Sequence, residues 1–228
     1  MTRPYLSVVI PVYREPDLET LLAHLRRILP AAGSEIIVSD GEPGYSTLRS
    51  LPDSDVVRVH SRPGRGRGLA DGAAQARGEV FLFLHADTRL PPSAWESIRT
   101  LLADSSLAAG AFDLAIDSPR WPYRLIEKGV YLRSRLLGLP YGDQALFVRR
   151  EVYAALDGFA PLPLMEDVDF VRRLRRAGHR LRMVTAPVRT SPRRWEKEGL
   201  VYATVRNWVL VSLSWLGVSP DRLKRWYR

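Results

Sequence analysis

The 228-residue chain contains no cysteine, which excludes disulfide frameworks and thiolate metal sites. That absence suits a reducing cytoplasm. The N-terminal segment runs straight into a strand-like stretch, with no basic-then-apolar leader before it, so secretion is not expected. Long hydrophobic runs are missing too. The longest strongly apolar stretch, Trp208 to Val218, falls short of the ~20 residues that a membrane-spanning helix needs. The expected place is therefore cytoplasmic, with contact at the inner face of a membrane as a further option.

What is present describes an ordinary globular chain. Its hydrophobic fraction of 46% and charged fraction of 26% allow a substantial core at a length that suits one domain. The formal net charge is +9, and residues 189–228 hold nine Lys/Arg against three Asp/Glu. Such a surplus fits a phosphate-bearing substrate, an anionic membrane surface or nucleic acid, and equally a plain bias towards arginine.

Short apolar runs alternate with helical patterns in the first half. Leu6–Val12 reads as a buried strand and Asp17–Leu29 as a helix with one leucine-rich face, stopped by Pro30 and Gly33. Strands follow at 35–39, 56–60 and 80–85, with a short helix near Thr47–Leu51 and another at Leu69–Arg77. The arginine- and glycine-rich stretch from Ser61 to Gly68 reads as a loop. This rhythm predicts βαβ units in a Rossmann-like, mainly parallel sheet flanked by helices, an α/β fold whose ligands bind at the carboxyl ends of the strands.

The second half is less regular. Helices are predicted at Pro92–Leu102, Trp121–Leu137 and Glu166–Ala177, and strands at Ala109–Asp117, Ala145–Arg149 and Leu181–Val184. Ser219 and Pro220 mark the start of a last helix. The expected organisation is a domain over 1–195, divided into a nucleotide-binding half (1–90) and a catalytic half (91–195). A basic helical tail covers 196–228.

Several polar residues fall where ligands would be met. Asp40, before Gly41, follows the second strand, where a carboxylate can accept from a base or ribose; the same dipeptide also describes a common turn. Asp87 closes the string Phe83-Leu84-His85-Ala86-Asp87, where a hard carboxylate could share Mg²⁺ with a diphosphate, or merely cap a turn. Arg62, Arg65 and Arg67 have the guanidinium forks that suit phosphate, although the spacing is neither a Walker loop nor a dinucleotide fingerprint. Glu166 and Asp167 open a helix, where acidic side chains also favour the macrodipole.

Six segments in order, SVVIPVYRE (7–15), EIIVSDG (35–41), GAAQARGEVFLFLHAD (72–87), GDQALFVRRE (142–151), MEDVDFVRRLRRAG (165–178) and RRW (193–195), resemble family-2 glycosyltransferases of the GT-A fold. Within that family the chain is similar to a short bacterial subgroup named for arsenosugar biosynthesis. The resemblance implies inverting transfer from a nucleotide-sugar, commonly a UDP-sugar, with a divalent cation, Mg²⁺ or Mn²⁺, as cofactor.

It also implies roles. Pro11, Val12, Tyr13 and Glu15 match the segment that lines the nucleotide pocket, and Asp40 matches the aspartate that recognises the base. Asp87 matches the last residue of the metal-binding D-x-D motif, preceded here by His85 and Ala86. Asp167, paired with Glu166, matches the general base. Gly142, Asp143 and Gln144 match a segment near donor sugar and acceptor. Arg194 and Trp195 match the end of Q-x-x-R-W.

Three departures stand out: His85 replaces the first Asp of D-x-D, Ala70 replaces a frequent Asn, and Ser191 replaces the Gln of Q-x-x-R-W. With no spanning helix, a processive polymer synthase is not expected. The alternatives are a catalytically weak nucleotide-sugar-binding relative and a polyanion-binding protein. No nucleic-acid partner is expected. The helix at 121–137 and the tail with Trp208, Trp215 and Trp226 could rest on an anionic bilayer or pack onto the domain.

Overall fold

The computed structural model describes residues 3–52 and 55–227, Trp215 through its backbone alone. The first strand, β1 (Leu6–Val12), lies parallel between β2 (Ser34–Asp40) and β4 (Val80–Phe83), and β2 pairs in parallel with β3 (Val57–His60). Neighbouring residues of β1 point to opposite faces, as a pleated strand requires. Val8 and Ile10 enter the core that packs under α1 (Leu18–Ile28), while Val9 enters a second core on the other face. A strand covered on both faces has no use for alternation, which is why LSVVIPV is almost wholly apolar.

Beyond β4 the sheet becomes mixed. The order is β3-β2-β1-β4-β7-β6-β8-β5, with β5 at Thr88–Arg89, β6 at Leu107–Ile116, β7 at Phe147–Arg149 and β8 at Arg180–Thr190. The short β7 runs antiparallel to both β4 and β6, whereas β6 and β8 are parallel. Gly110 of β6 is needed at this junction, because a Cβ there would sit 2.4 Å from the Phe147 ring.

Two expectations change. The arginine- and glycine-rich stretch expected as a loop to Gly68 is helical from Arg65, in α3 (Arg65–Gln75). Its glycines serve close packing: a Cβ on Gly72 would lie 2.6 Å from Val9 Cγ1, and one on Gly68 would lie 3.2 Å from Pro11 Cβ. The helix thus rests directly on β1, and glycine here reports proximity rather than looseness.

The short strand expected at 181–184 is the 11-residue β8. Its pairing with β6 steps from Phe112↔Val184 to Asp113↔Pro187. This bulge accommodates Pro187, whose missing N–H otherwise argues against a strand.

The remaining helices are α2 (Ser46–Ser50), α4 (Ala94–Leu102), α5 (Trp121–Leu136), α6 (Arg150–Ala155), α7 (Glu166–Arg176), α8 (Arg193–Glu198), α9 (Leu200–Trp215) and α10 (Pro220–Trp226). Proline occupies the start of α10 behind Ser219, as expected. No helix among the described residues is long and apolar enough to cross a membrane.

Candidate functional site

The N-terminal ends of α3 and α7 converge on one point. Gly66 makes this approach possible, since a Cβ there would come within 3.1 Å of Glu166 Cβ. Met165, in the left-handed conformation at φ 63°, turns the chain into α7 so that Glu166 and Asp167 face inward. Both are buried, at 1% and 6% exposure. Two adjacent carboxylates without water need counter-charge. Arg65 supplies it, donating through Nε to Glu166 Oε1 and standing 3.4 Å from Asp167 Oδ2.

Asp167 is held on its other sides by backbone. The Gly142 N–H donates to Oδ2 at 2.7 Å and the Val168 N–H to Oδ1 at 2.8 Å. Burial pushes this carboxyl upward, but Arg65, the two N–H donors and His85 outweigh it, and the net shift is below the usual carboxylate range. Burial carries Glu166 the other way, upward, with Arg65 opposing and Asp167 adding to it. The pair is therefore differentiated: one carboxylate is poised as an anion, and the other leans on Arg65.

His85 completes the cluster, 3.5 Å from Arg65 through its Nε2. Burial and the Arg65 charge lower its pKa to about 4, so the ring is neutral at pH 7. A Cβ on Gly142 would lie 2.9 Å from Asp167 Oδ2 and 3.1 Å from His85 Nε2. Only glycine leaves both groups in place.

Arg65, His85 and Asp167 form the polar end of a cavity of about 810 Å³, a size that suits a small-molecule site. Asp87, Asp143 and Arg194 share that end. Asp143 is shifted upward by burial, and its Oδ1 has no hydrogen-bond partner among the described residues. Arg194 makes no hydrogen bond or ion pair among the described residues. α5 and α9 line much of the rest of the cavity, with Ile126, Val130, Trp208 and Val211 among their apolar side chains and Arg133, Thr204, Asn207 and Ser212 among their polar ones.

The other expected residues lie elsewhere or are engaged. Asp40 is fully buried; Oδ1 accepts from Glu42 N at 2.9 Å and Oδ2 from Leu48 N at 3.2 Å. Gln144 is fully buried as well, accepting from Ser134, Arg133 and Tyr141 N and donating to Phe112 O. Its bond from Tyr141 N braces the Gly142 turn. Val12 is buried beside Asp40 in the sheet, Pro11 touches α3, and Tyr13 is 56% exposed. Arg67 is exposed and does not line the cavity, and Ala86 packs against the core. Trp195 lines the cavity, and its buried Nε1 has no hydrogen-bond partner among the described residues.

Arg193 was not singled out in the sequence. Its guanidinium grips both oxygens of Glu15, at 3.1 and 3.2 Å, and stands 4.0 Å from Asp87. It ties the chain after β8 to the end of β1, across 178 positions. Tyr141, under Arg133 at 3.5 Å, and Tyr227 were also missed, although both line the cavity.

A family model described as glycosyl transferase family 2 matches residues 7–156. The chain belongs to this family. Among curated relatives, the dolichol-phosphate mannosyltransferase of Pyrococcus furiosus is 28% identical over 148 residues, 58% of this chain and 40% of that one. An undecaprenyl-phosphate 4-deoxy-4-formamido-L-arabinose transferase of Pseudomonas fluorescens is 31% identical over 177 residues, 68% of this chain and 50% of that one.

The chain thus spans about half the length of the curated relatives it matches. Among solved structures, S. aureus TarS 1–349 in complex with UDP-GlcNAc superposes with a TM-score of 0.66 at 18% identity, over 82% of this chain and 58% of that one. That likeness establishes the GT-A fold of the family-2 protein.

Proposed function

We propose that this family-2 chain is an inverting glycosyltransferase that moves a sugar from a nucleotide-sugar, a UDP-sugar by preference, to an acceptor hydroxyl. The single observation behind this reading is the Asp167 carboxylate. It is ionised, fixed by the Gly142 N–H and turned to a cavity large enough for a donor. In the reaction, Asp167 takes the acceptor proton as the acceptor oxygen bonds to the anomeric carbon. The bond from that carbon to the diphosphate breaks, and its electron pair leaves with the nucleoside diphosphate. A positioned general base contributes about 10²–10⁴-fold.

The family also suggests a divalent cation, Mg²⁺ or Mn²⁺. Among the described residues no group of three or more His, Asp or Glu is arranged to hold one, so a cage made by protein alone does not fit. A cation held by Asp87 and completed by the donor's phosphates does fit, since Mg²⁺ commonly takes one or two protein carboxylates plus phosphate oxygens and waters. When bound there, it would neutralise charge that builds on the leaving diphosphate. Arg194 adds a fixed cation at the same end of the cavity. For Asp40 to meet the base, a carboxylate oxygen would exchange one of its two turn hydrogen bonds for the ligand.

Two relatives are named for dolichol phosphate and undecaprenyl phosphate, and work at a membrane surface belongs to this reading. Apart from Tyr13, every exposed large apolar side chain among the described residues lies in 121–137 or 201–226. Trp121, Trp208 and Trp226 are among them; the side chain of Trp215 lies outside the described residues. A nucleotide-sugar-binding protein without turnover is the second reading, favoured by the single carboxylate at Asp87.

A thermal-shift series with UDP and several UDP-sugars, with and without Mn²⁺, tests the reading. Stabilisation by nucleotide that grows with Mn²⁺, and loses that growth in Asp87→Asn, is the expected result. No response to any nucleotide would overturn it.

A further inference from the structure

A groove at the other end of the sheet differs from the cavity in both place and charge. It lies at the amino ends of β1, β2 and β4 and has a volume of about 500 Å³. Arg3, Arg77, Arg150 and Glu35 line it, with Pro4 and Ala32 among its apolar residues. The cavity that holds His85 and Asp87 lies past the carboxyl end of β4. Helix α3 spans the distance between the two: it carries Arg65 at its start and ends at Gln75, two residues before Arg77.

Glu35 is the carboxylate among these lining residues, and it is fully engaged. Oε1 accepts from Ser7 Oγ at 2.6 Å and from Arg77 N at 2.5 Å, and Oε2 accepts from Arg77 Nε at 3.1 Å. Burial raises this carboxyl, but the three donors outweigh it, and Glu35 is held below the usual carboxylate range as an anion. Arg3 and Arg150 have no such partner. Arg3 Nε donates to Arg77 O at 2.7 Å and Arg150 Nη1 donates to the same oxygen at 3.2 Å, and neither side chain makes an ion pair among the described residues. One carbonyl oxygen thus fixes two guanidiniums side by side. Each has five N–H donors, so both keep donors for a ligand.

We propose that this groove binds a small phosphate-bearing anion, at a site separate from the sugar-transfer cavity. The phosphate lies between Arg3 and Arg150 and accepts from the N–H groups that Arg77 O leaves over. Guanidinium forks match phosphate oxygens, and a dianion offsets two charges that have no carboxylate opposite them. The volume falls in the range of small-molecule pockets, so the groove admits a phosphate monoester as well as the free ion. Bound there, the anion joins four separate stretches of chain: the approach to β1 at Arg3, the α1–β2 connection at Ala32, the end of α3 near Arg77, and the start of α6 at Arg150. The site goes beyond the sugar-transfer reading and does not depend on it.

Calorimetry on the full chain, with inorganic phosphate and glycerol phosphate as the probes and chloride as the control, tests the site. Both probes should bind saturably and chloride should not compete at equal concentration. Arg3→Gln and Arg150→Gln should each weaken phosphate by about tenfold or more, the worth of a charge-assisted hydrogen bond, and the double variant should abolish that binding. Arg150→Lys keeps the charge without the fork and should fall between Arg150→Gln and wild type. Arg194→Gln, in the cavity, should leave it unchanged. Glycerol phosphate binding more tightly than phosphate assigns the groove to an ester, and the reverse assigns it to the free ion.

Thermal melts without phosphate should place all the variants near wild type, because the substituted side chains reach the groove from the surface. No saturable binding of either probe would overturn the proposal, as would binding that survives the double variant or is lost in Arg194→Gln. Affinity that climbs steadily with polyphosphate length and collapses with added salt describes a diffuse basic surface for polyanions, and overturns the discrete site as well. A chain that binds phosphate through Arg3 and Arg150 but binds no nucleotide leaves this site standing and overturns the sugar-transfer reading.

Discussion

Asp167→Asn removes a charge and little else in shape, so its consequences can be worked from the contacts. One carboxylate oxygen accepts from Gly142 N at 2.7 Å and the other from Val168 N at 2.8 Å. An amide has one acceptor, so either orientation sets its NH₂ against a backbone N–H. Leaving one such group unpaired costs about 1–3 kcal/mol, and losing a negative charge at the start of α7 costs about 0.3–1 kcal/mol more. Against a typical stability of about 5–15 kcal/mol the variant remains folded.

Arg65 keeps its hydrogen bond to Glu166, so the polar end of the cavity persists. Proton abstraction does not. Transfer, followed as release of nucleoside diphosphate, should fall by about 10²–10⁴-fold, with UDP affinity by calorimetry within about threefold of wild type. A variant that binds UDP and transfers at close to the wild-type rate would refute the assignment of the base, and with it the argument from the Gly142 contact.

Three further expectations share this structural basis. The acid limb of kcat/KM should lie below the usual carboxylate range, because Arg65 and the Gly142 and Val168 N–H groups hold Asp167 under it; a limb above that range would reassign the base to Glu166, whose shift is upward. By the same sign, the stability that Asp167 contributes is present above its unfolded value and is lost as pH falls through the lower folded one. Arg65→Met should destabilise by about 3 kcal/mol in urea melts, since it strands two buried carboxylates, and adding Glu166→Gln should recover part of that loss; additive costs would refute the pairing. Gly72→Ala should cost about 1–3 kcal/mol through overpacking against Val9, and an unchanged melt would mean that α3 can lift from β1.

Much of the frame was legible in the chain itself. Apolar runs such as LSVVIPV and VFLF announce strands covered on both faces, and the leucine spacing after Asp17 announces α1. Both signals are local. Asp87, Glu166 and Asp167 could be singled out because they sit at strand or helix ends, and the structure brings Asp87 and Asp167 to one cavity.

Arg65 suggests a phosphate ligand by its local sequence of glycine and arginine. Its partners stand 101 and 102 positions away, and no local pattern shows them. Arg193 was passed over for the same reason, since its value lies in Glu15. The helix from Arg65 was obscured because glycine spacing encodes contact with β1 as readily as it encodes a loop. Asp40 and Gln144 show the converse: residue types that suggest ligand contact also carry hydrogen bonds to the chain around them.

The crossing of α5 and α9 has a consequence for how the cavity could be retuned. Gly129 faces Trp208, and a Cβ there would meet Trp208 Cζ2 at 3.5 Å, an ordinary contact. Alanine is therefore admitted without movement, whereas any longer side chain must push the indole and the helix that carries it. Strand β6 backs α5, with Ile116 N donating to Glu127 Oε1, so the push falls on α9. The spacing of α5 and α9 can thus be altered at this one contact, outside the acidic cluster and outside the sheet. A series of side chains at 129 would act as a gauge, shifting α9 by steps while the acidic end stays as it is.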